Sequence, residues 1–189
     1  MKLNDIDFGF IILNLDKNYA GLKTTYNSIK NYYTQPVISV VDNGVNSDEL
    51  KKMKEICECY KSKSSDMEDE FSLASELINL GIKNSKKEWN FIVIAGSWVR
   101  PNLKRKFDIF VKNEKDILYP ITDDRRLEFP DASINGILIH KKAFKEIGEW
   151  PTQVWKINNN PLYLSKLFWY AIGLEHSYKF KGIVGMRIC

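Results

Sequence analysis

Cysteine, histidine and proline are all sparse: the 189 residues hold three Cys, two His and six Pro. The cysteines are Cys57, Cys59 and Cys189, an odd set that does not make a closed disulfide framework. Cys57-x-Cys59 lacks the second ligand pair that a structural zinc needs, so structural zinc is not expected. His140 and His176 stand apart, without a serine or cysteine motif beside either, so a hydrolase triad has no support. No run of about 18 uncharged apolar residues occurs, so no membrane span is expected. The opening MKLNDID sets acids before any apolar run and lacks a secretory pattern. With reduced thiols, that predicts a cytoplasmic setting. A strong charge of one sign is missing too, since 28 basic against 24 acidic residues leave +4. That is too weak and dispersed to argue for nucleic acid, but it suits an anionic small ligand such as a nucleotide.

Apolar and aromatic side chains are plentiful, at 44% and 13%. Such a chain is too apolar for disorder. One domain over residues 1–189 is expected, burying roughly 70% of the surface of its unfolded chain.

FGFIIL, Phe8 to Leu13, has the pattern of a strand buried on both faces. After a polar turn, Leu22, Tyr26, Ile29 and Tyr33 recur at helical spacing, and Pro36 closes that element. Val37 to Val41 predicts a second strand, ended by Asp42-Asn43-Gly44. Ser47 suits a helix N-cap, with Leu50, Met53, Cys57 and Tyr60 as the buried stripe, and a polar loop follows from Lys61 to Glu70. Ser72 to Asn84 reads as a helix with Ala74, Leu77, Ile78 and Gly81 inside, and Phe91 to Ala95 as a third strand. Pro101 opens a helix turning Leu103, Phe107 and Phe110 inward. Ile117 to Ile121 and Ile134 to Ile139 are further strands around the charged loop TDDRRLEFP, and a short helix runs to Gly148. Asn160-Pro161 opens a last helix, with Leu164, Leu167, Phe168 and Ala171 inside and Gly173 as its stop, before an extended tail. This alternation predicts an α/β fold, a mostly parallel central sheet flanked by helices. Ligands bind such sheets at the carboxyl ends of the strands, near the switch in strand order.

The first strand ends in Asn14-Leu15-Asp16, with neither GxGxxG nor a Walker A motif, which weighs against dinucleotide and P-loop sites. Asp42 suits a ribose or base edge; Asp42-Asn43-Gly44 also suits an ordinary Asx turn. Gly96 and Ser97, after the third strand, admit close approach of a ligand or of a packed helix. Asp123, Asp124, Arg125 and Arg126 suit a metal, a pyrophosphate or an acceptor hydroxyl, or else a solvated loop. Asp131 and Asn135-Gly136 are the next polar group. Trp150, Trp155 and Trp169 suit an acceptor surface, a subunit contact or the core.

These segments resemble the GT-A glycosyltransferases, most closely the large inverting family-two group. FGFIILNLDKNYAGLKTTYNSIKN resembles the opening strand, turn and helix, and PVISVVDNGVNSDEL the second strand with its nucleoside-contacting acid. FSLASELINLGIKNSKKEWNFIVIAGSWVRPNL resembles the helix, strand and metal-motif region, and ASINGILIHKKAFKEIGEWP the acceptor-side strand and helix. The resemblance implies a Rossmann-like GT-A fold. It also implies transfer of a hexose from a nucleotide diphosphate sugar to the hydroxyl of a carbohydrate or other acceptor. It sets Asp42 against the nucleoside, with Asn14, Asn43 and Gly44 beside it. The family's metal-holding Asp-x-Asp falls at Ala95-Gly96-Ser97, and its catalytic base near Asn159-Asn160-Pro161, where no carboxylate stands.

A diphosphate leaving group needs its charge met, and an acceptor hydroxyl needs a base. An active enzyme would use Arg100, Arg125 or Arg126 in place of a metal, above Gly96 and Ser97, with Asp123, Asp124 or Asp131 as base. The competing expectation is a degenerate transferase that binds a nucleotide, sugar or partner protein without turnover. A nucleotidyltransferase is disfavoured, because the first strand lacks a Gly-rich phosphate loop. The exposed aromatic potential leaves self-association open.

Overall fold

The apolar run of the first strand is read on both faces of a sheet. The computed structural model describes residues 6–15, 19–43, 47–62, 70–121, 135–152, 155–157, 160–162 and 164–184. Its elements are β1 (Phe8–Asn14), α1 (Tyr19–Tyr32), β2 (Ile38–Asp42), α2 (Ser47–Lys54), β3 (Glu58–Lys61), α3 (Glu70–Asn84) and β4 (Trp89–Ile94). They continue as α4 (Leu103–Phe110), β5 (Asp116–Ile121), β6 (Ile137–His140), α5 (Lys141–Glu146), β7 (Trp155–Ile157), β8 (Asn160–Leu162), α6 (Leu164–Glu175) and β9 (Lys179–Val184).

The main sheet has seven strands in the order β3-β2-β1-β4-β6-β5-β9. β6 runs antiparallel to β4 and to β5, and the other pairings are parallel. Side chains alternate between two cores. Ile11, Leu13, Val41, Ile92, Ile137 and Ile139 face α3, α5 and α6, where Leu77, Ile78, Ala143 and Trp169 meet them. Phe10, Ile12, Val40, Phe91, Val93 and Leu138 face α1, α2 and α4, which supply Leu22, Ile29, Met53, Leu103 and Phe107. The first strand is thus covered on both sides, as its unbroken apolar run requires. Gly81 lets α3 come close, for a Cβ there would stand 2.5 Å from Ile11 Cγ2 and 3.1 Å from Val41 Cγ2.

Several expected details change. The helix beginning at Ser47 stops at Lys54, and Cys57 N–H closes it on the Met53 carbonyl at 2.9 Å. Cys57 and Tyr60 therefore leave the predicted stripe; Tyr60 lies in β3, whose backbone completes the edge of β2. Apolar spacing over so few residues does not separate a helix from a strand. Phe110 is 39% exposed, because Leu103 and Phe107 fill the buried stripe of the short α4 and Val111 takes the next inward place. Asn160 and Pro161 lie in β8, paired with β7, rather than opening the last helix.

In α6 the buried residues Trp169 and Gly173 lie four apart while Ala171 is exposed. Gly173 is inside the helix, not its stop; a Cβ there would meet Phe180 Cζ at 2.9 Å. The stop falls at Ser177, whose φ of 64° places it in the left-handed region. Tyr178 N–H to the Gly173 carbonyl at 2.8 Å and Ser177 N–H to Leu174 at 2.9 Å close a Schellman motif. Trp150 and Trp169 are core residues, 1% and 2% exposed, with rings stacked at 4.9 Å. The side chain of Trp155 lies outside the described residues.

Candidate functional site

The chain runs from β1 to β2 and β3 on one side, then crosses to β4 on the other side of β1. That reversal makes a switch point at the carboxyl ends of β1 and β4, the place where an open α/β sheet leaves a crevice.

Asn14 and Asp42 end adjacent parallel strands in lateral register. Both side chains fall on the α1 face, two residues beyond Ile12 and Val40. Asn14 Nδ2 donates to Asp42 Oδ1 at 2.8 Å, and both residues are 0% exposed. Backbone bonds hold the pair: Asn43 N–H donates to the Asn14 carbonyl at 3.3 Å and Ser62 N–H to the Asp42 carbonyl at 2.9 Å. Asn43 Nδ2 donates to the Leu15 carbonyl at 3.3 Å. Asp42 is thus fixed by its neighbour strand, and its carboxylate is at the floor of the crevice rather than open to solvent.

Beyond β4 the backbone turns through Gly96 at φ +93°. Gly96 N–H donates to the Gly21 carbonyl of α1 at 2.9 Å, and nothing lies within 4 Å of where a Cβ would stand. The glycine therefore serves the turn and leaves open space, not a tight helix contact. Thr25 Oγ1 donates to the Ser97 carbonyl at 2.8 Å, and Val99 N–H to Ser28 Oγ at 3.0 Å. Asn135 bridges this turn to the next strand: its Nδ2 donates to Ser97 Oγ at 2.9 Å and its Oδ1 accepts from Ile94 N–H at 2.9 Å.

Asn14, Asp42, Asn43, Gly96 and Ser97 thus converge at one edge of the sheet. Arg100 does not join them. Its chain runs down the flank of α1, and its carbonyl accepts from Tyr33 Oη at 2.7 Å, beyond the far end of that helix. Burial pushes the Tyr33 hydroxyl up to about 12. Gly44, Asp123, Asp124, Arg125, Arg126 and Asp131 lie outside the described residues. A further pair behind Asp42 was not legible in the sequence: Ser62 Oγ donates to Glu76 Oε1 at 2.6 Å. Nothing in the helical pattern of α3 marks Glu76, because its partner Ser62 lies fourteen positions away.

Among the described residues, the polar side chains at the end of β4 are the Ser97 hydroxyl and the Asn135 amide, both neutral and bonded to each other. Among the described residues, no group of three or more His, Cys, Asp or Glu could hold a metal. No helix there is long and apolar enough to cross a membrane.

No family model and no curated protein sequence matches the chain. Solved structures do match. S. aureus TarS 1-349 superposes with a TM-score of 0.65 at 11% identity, over 97% of this chain and 59% of that one. A mannosyltransferase from Pyrobaculum calidifontis, PcManGT, in complex with GDP-Man and Mn2+, superposes at 0.69 and 10% identity, over 95% of this chain and 55% of that one. TarS 1-349 is also known in complex with UDP-GlcNAc and superposes at 0.63 with 11% identity, over 97% of this chain and 57% of that one. The chain thus has a GT-A-like fold and spans between half and two thirds of the length of these glycosyltransferases. At such identities the likeness is one of fold.

Proposed function

We propose that the chain binds a nucleoside diphosphate sugar in the crevice at the ends of β1, β2 and β4 and transfers the sugar to an acceptor hydroxyl. The observation that carries this is Asp42, an acid fixed by Asn14 beside the switch point of a GT-A-like sheet. The nucleoside would lie against Asp42 and Asn43, with Gly44 completing the turn. The open space over Gly96 would admit the diphosphate. Asp42 is buried, so nucleoside contact requires the rim above it to open.

In the transfer the acceptor oxygen bonds to the anomeric carbon while the bond from that carbon to the diphosphate oxygen breaks. The acceptor proton passes to one carboxylate among Asp123, Asp124 and Asp131. The negative charge left on the diphosphate is met by Arg125 and Arg126, since the backbone of Arg100 lies at Tyr33, toward the far end of α1. No divalent ion is required in this scheme, in keeping with the neutral donors at Ser97 and Asn135. Those same donors favour a second reading, a module of the same fold that binds the donor and does not turn it over.

Calorimetric titration with UDP-GlcNAc and GDP-mannose in the presence of chelator tests binding. Heat lost on Asp42→Asn supports the donor site; no heat with either donor removes it. Release of free sugar or transfer to added acceptor separates enzyme from module. Activity abolished by chelator and restored by manganese would overturn the metal-independent scheme.

A further inference from the structure

Away from the strand-end crevice, the turn between α2 and β3 brings two thiols together. Cys57 Sγ and Cys59 Sγ are 3.8 Å apart and both residues are half-buried. Cys57 Sγ also has the Met53 carbonyl at 3.4 Å as an acceptor. An open pocket of about 240 Å3, lined by Tyr26, Lys30, Ile56, Cys57, Glu58 and Lys86, reaches Cys57 from solvent. Lys86 pairs with Glu58, the residue between the two cysteines. Two lysines against one glutamate leave the wall net positive, suited to a small acidic reagent.

We propose that Cys57 and Cys59 form a reversible dithiol–disulfide site, oxidised by an acidic disulfide of low molecular weight that enters from the Lys30 and Lys86 pocket. Cys57 lies in the turn before β3 and Cys59 within it; residues two apart span at most about 6.8 Å between Cα atoms, the upper end of what a disulfide bridges. The sulfurs need to close from contact distance to a bond length of about 2 Å, a side-chain movement with a small pucker at Glu58.

Contact between the sulfurs lets one thiol hydrogen-bond the thiolate of the other. One cysteine thiolate attacks one sulfur of the reagent disulfide; a mixed disulfide forms and one reagent thiolate leaves. The second cysteine sulfur then attacks the first and releases the second reagent thiolate, which takes up the proton that the second cysteine loses. Two cysteine sulfurs are oxidised by two electrons, and the reagent disulfide is reduced to two thiols. The site stands independently of any transferase activity.

The experiment uses the full chain carrying Cys189→Ser, equilibrated against mixtures of reduced and oxidised glutathione and then alkylated without denaturant. Tryptic cleavage after Lys54 and Lys61 yields one peptide, EICECYK, with both thiols. The expected result is loss of both alkylation sites, a peptide lighter by two hydrogens, and full return with dithiothreitol. Adding Cys57→Ser or Cys59→Ser should instead trap one glutathione on the thiol that remains. Two thiols that stay alkylatable in excess oxidised glutathione, or two separate glutathione adducts, would overturn the assignment.

Discussion

Replacing Asp42 by Asn is the most discriminating perturbation of the candidate site. The amide keeps the volume of the carboxylate, and its oxygen can still accept from Asn14 Nδ2, now 2.8 Å from Asp42 Oδ1. The backbone around it is held by the Asn43 and Ser62 N–H bonds, so little reorganisation is expected. What the change removes is the negative charge. A hydrogen bond to a charged group contributes about 1.5–3 kcal/mol, against about 1 for a neutral one. If a nucleoside donates to Asp42, the loss of about 0.5–2 kcal/mol should raise the nucleotide Kd by about 2- to 30-fold, while the melting temperature moves by only a few degrees. Asp42→Leu is the contrasting change. It orphans the buried Asn14 amide and should cost about 1–3 kcal/mol of stability, lowering the melting temperature whether or not a nucleotide binds. Calorimetry with UDP and GDP, paired with thermal melts of both variants, reads the two effects separately. Because Asp42 is 0% exposed, nucleotide should also change amide hydrogen exchange at the ends of β1 and β2. Unchanged nucleotide affinity in Asp42→Asn, with lost stability in Asp42→Leu, would refute a binding role and leave Asp42 as the residue that pins two strand ends together.

Gly81→Ala should destabilise by about 1–2 kcal/mol, since crowding against the buried Ile11 and Val41 outweighs the roughly 1 kcal/mol gained in helix propensity; chemical denaturation measures it. His140 caps α5 by accepting from Lys142 N–H at 3.1 Å on Nδ1, and burial lowers its pKa below 6.5. The unfolded chain therefore takes up the proton first, so this stability is complete above pH 6.5 and is lost as pH falls below it; His140→Asn, which can still cap, should flatten that stretch of the stability profile. Asp116, 0% exposed, accepts from Lys112 N–H at 2.5 Å, Asn113 N–H at 3.1 Å and Lys181 Nζ at 2.8 Å. Asp116→Ala should cost about 3 kcal/mol, and Lys181→Met less because two backbone donors remain; paired melts compare them.

Some of this was legible because local patterns are short-ranged physics. FGFIIL, a short apolar run rich in aromatic and β-branched residues and followed by a polar turn, has the pattern of a strand covered on both faces, and it became β1 inside the sheet. The stripe Ala74, Leu77, Ile78 and Gly81 gave α3 its buried face, including the glycine that lets it approach β1. VVDNG marked the end of β2 as a place to look. The turn between α2 and β3 was not legible, since a few apolar residues fit a helical stripe and a strand equally well, and pairing with β2 settled the matter. Gly173 reads locally as a helix stop; only the ring of Phe180 packed over it reveals its place inside α6.

The sequence by itself therefore determined the class of fold, the βα alternation of its larger elements and the acid at the end of β2, because apolar periodicity and turn residues act over neighbouring positions. The tertiary structure decided the rest. It set Asn14 beside Asp42, crossed the chain from β3 to β4 to make the switch point, tied Ser97 to Asn135, and sent Arg100 down the flank of α1. Those relations join residues dozens of positions apart, and they arise from strand order and from the donors and acceptors that burial leaves to be paired.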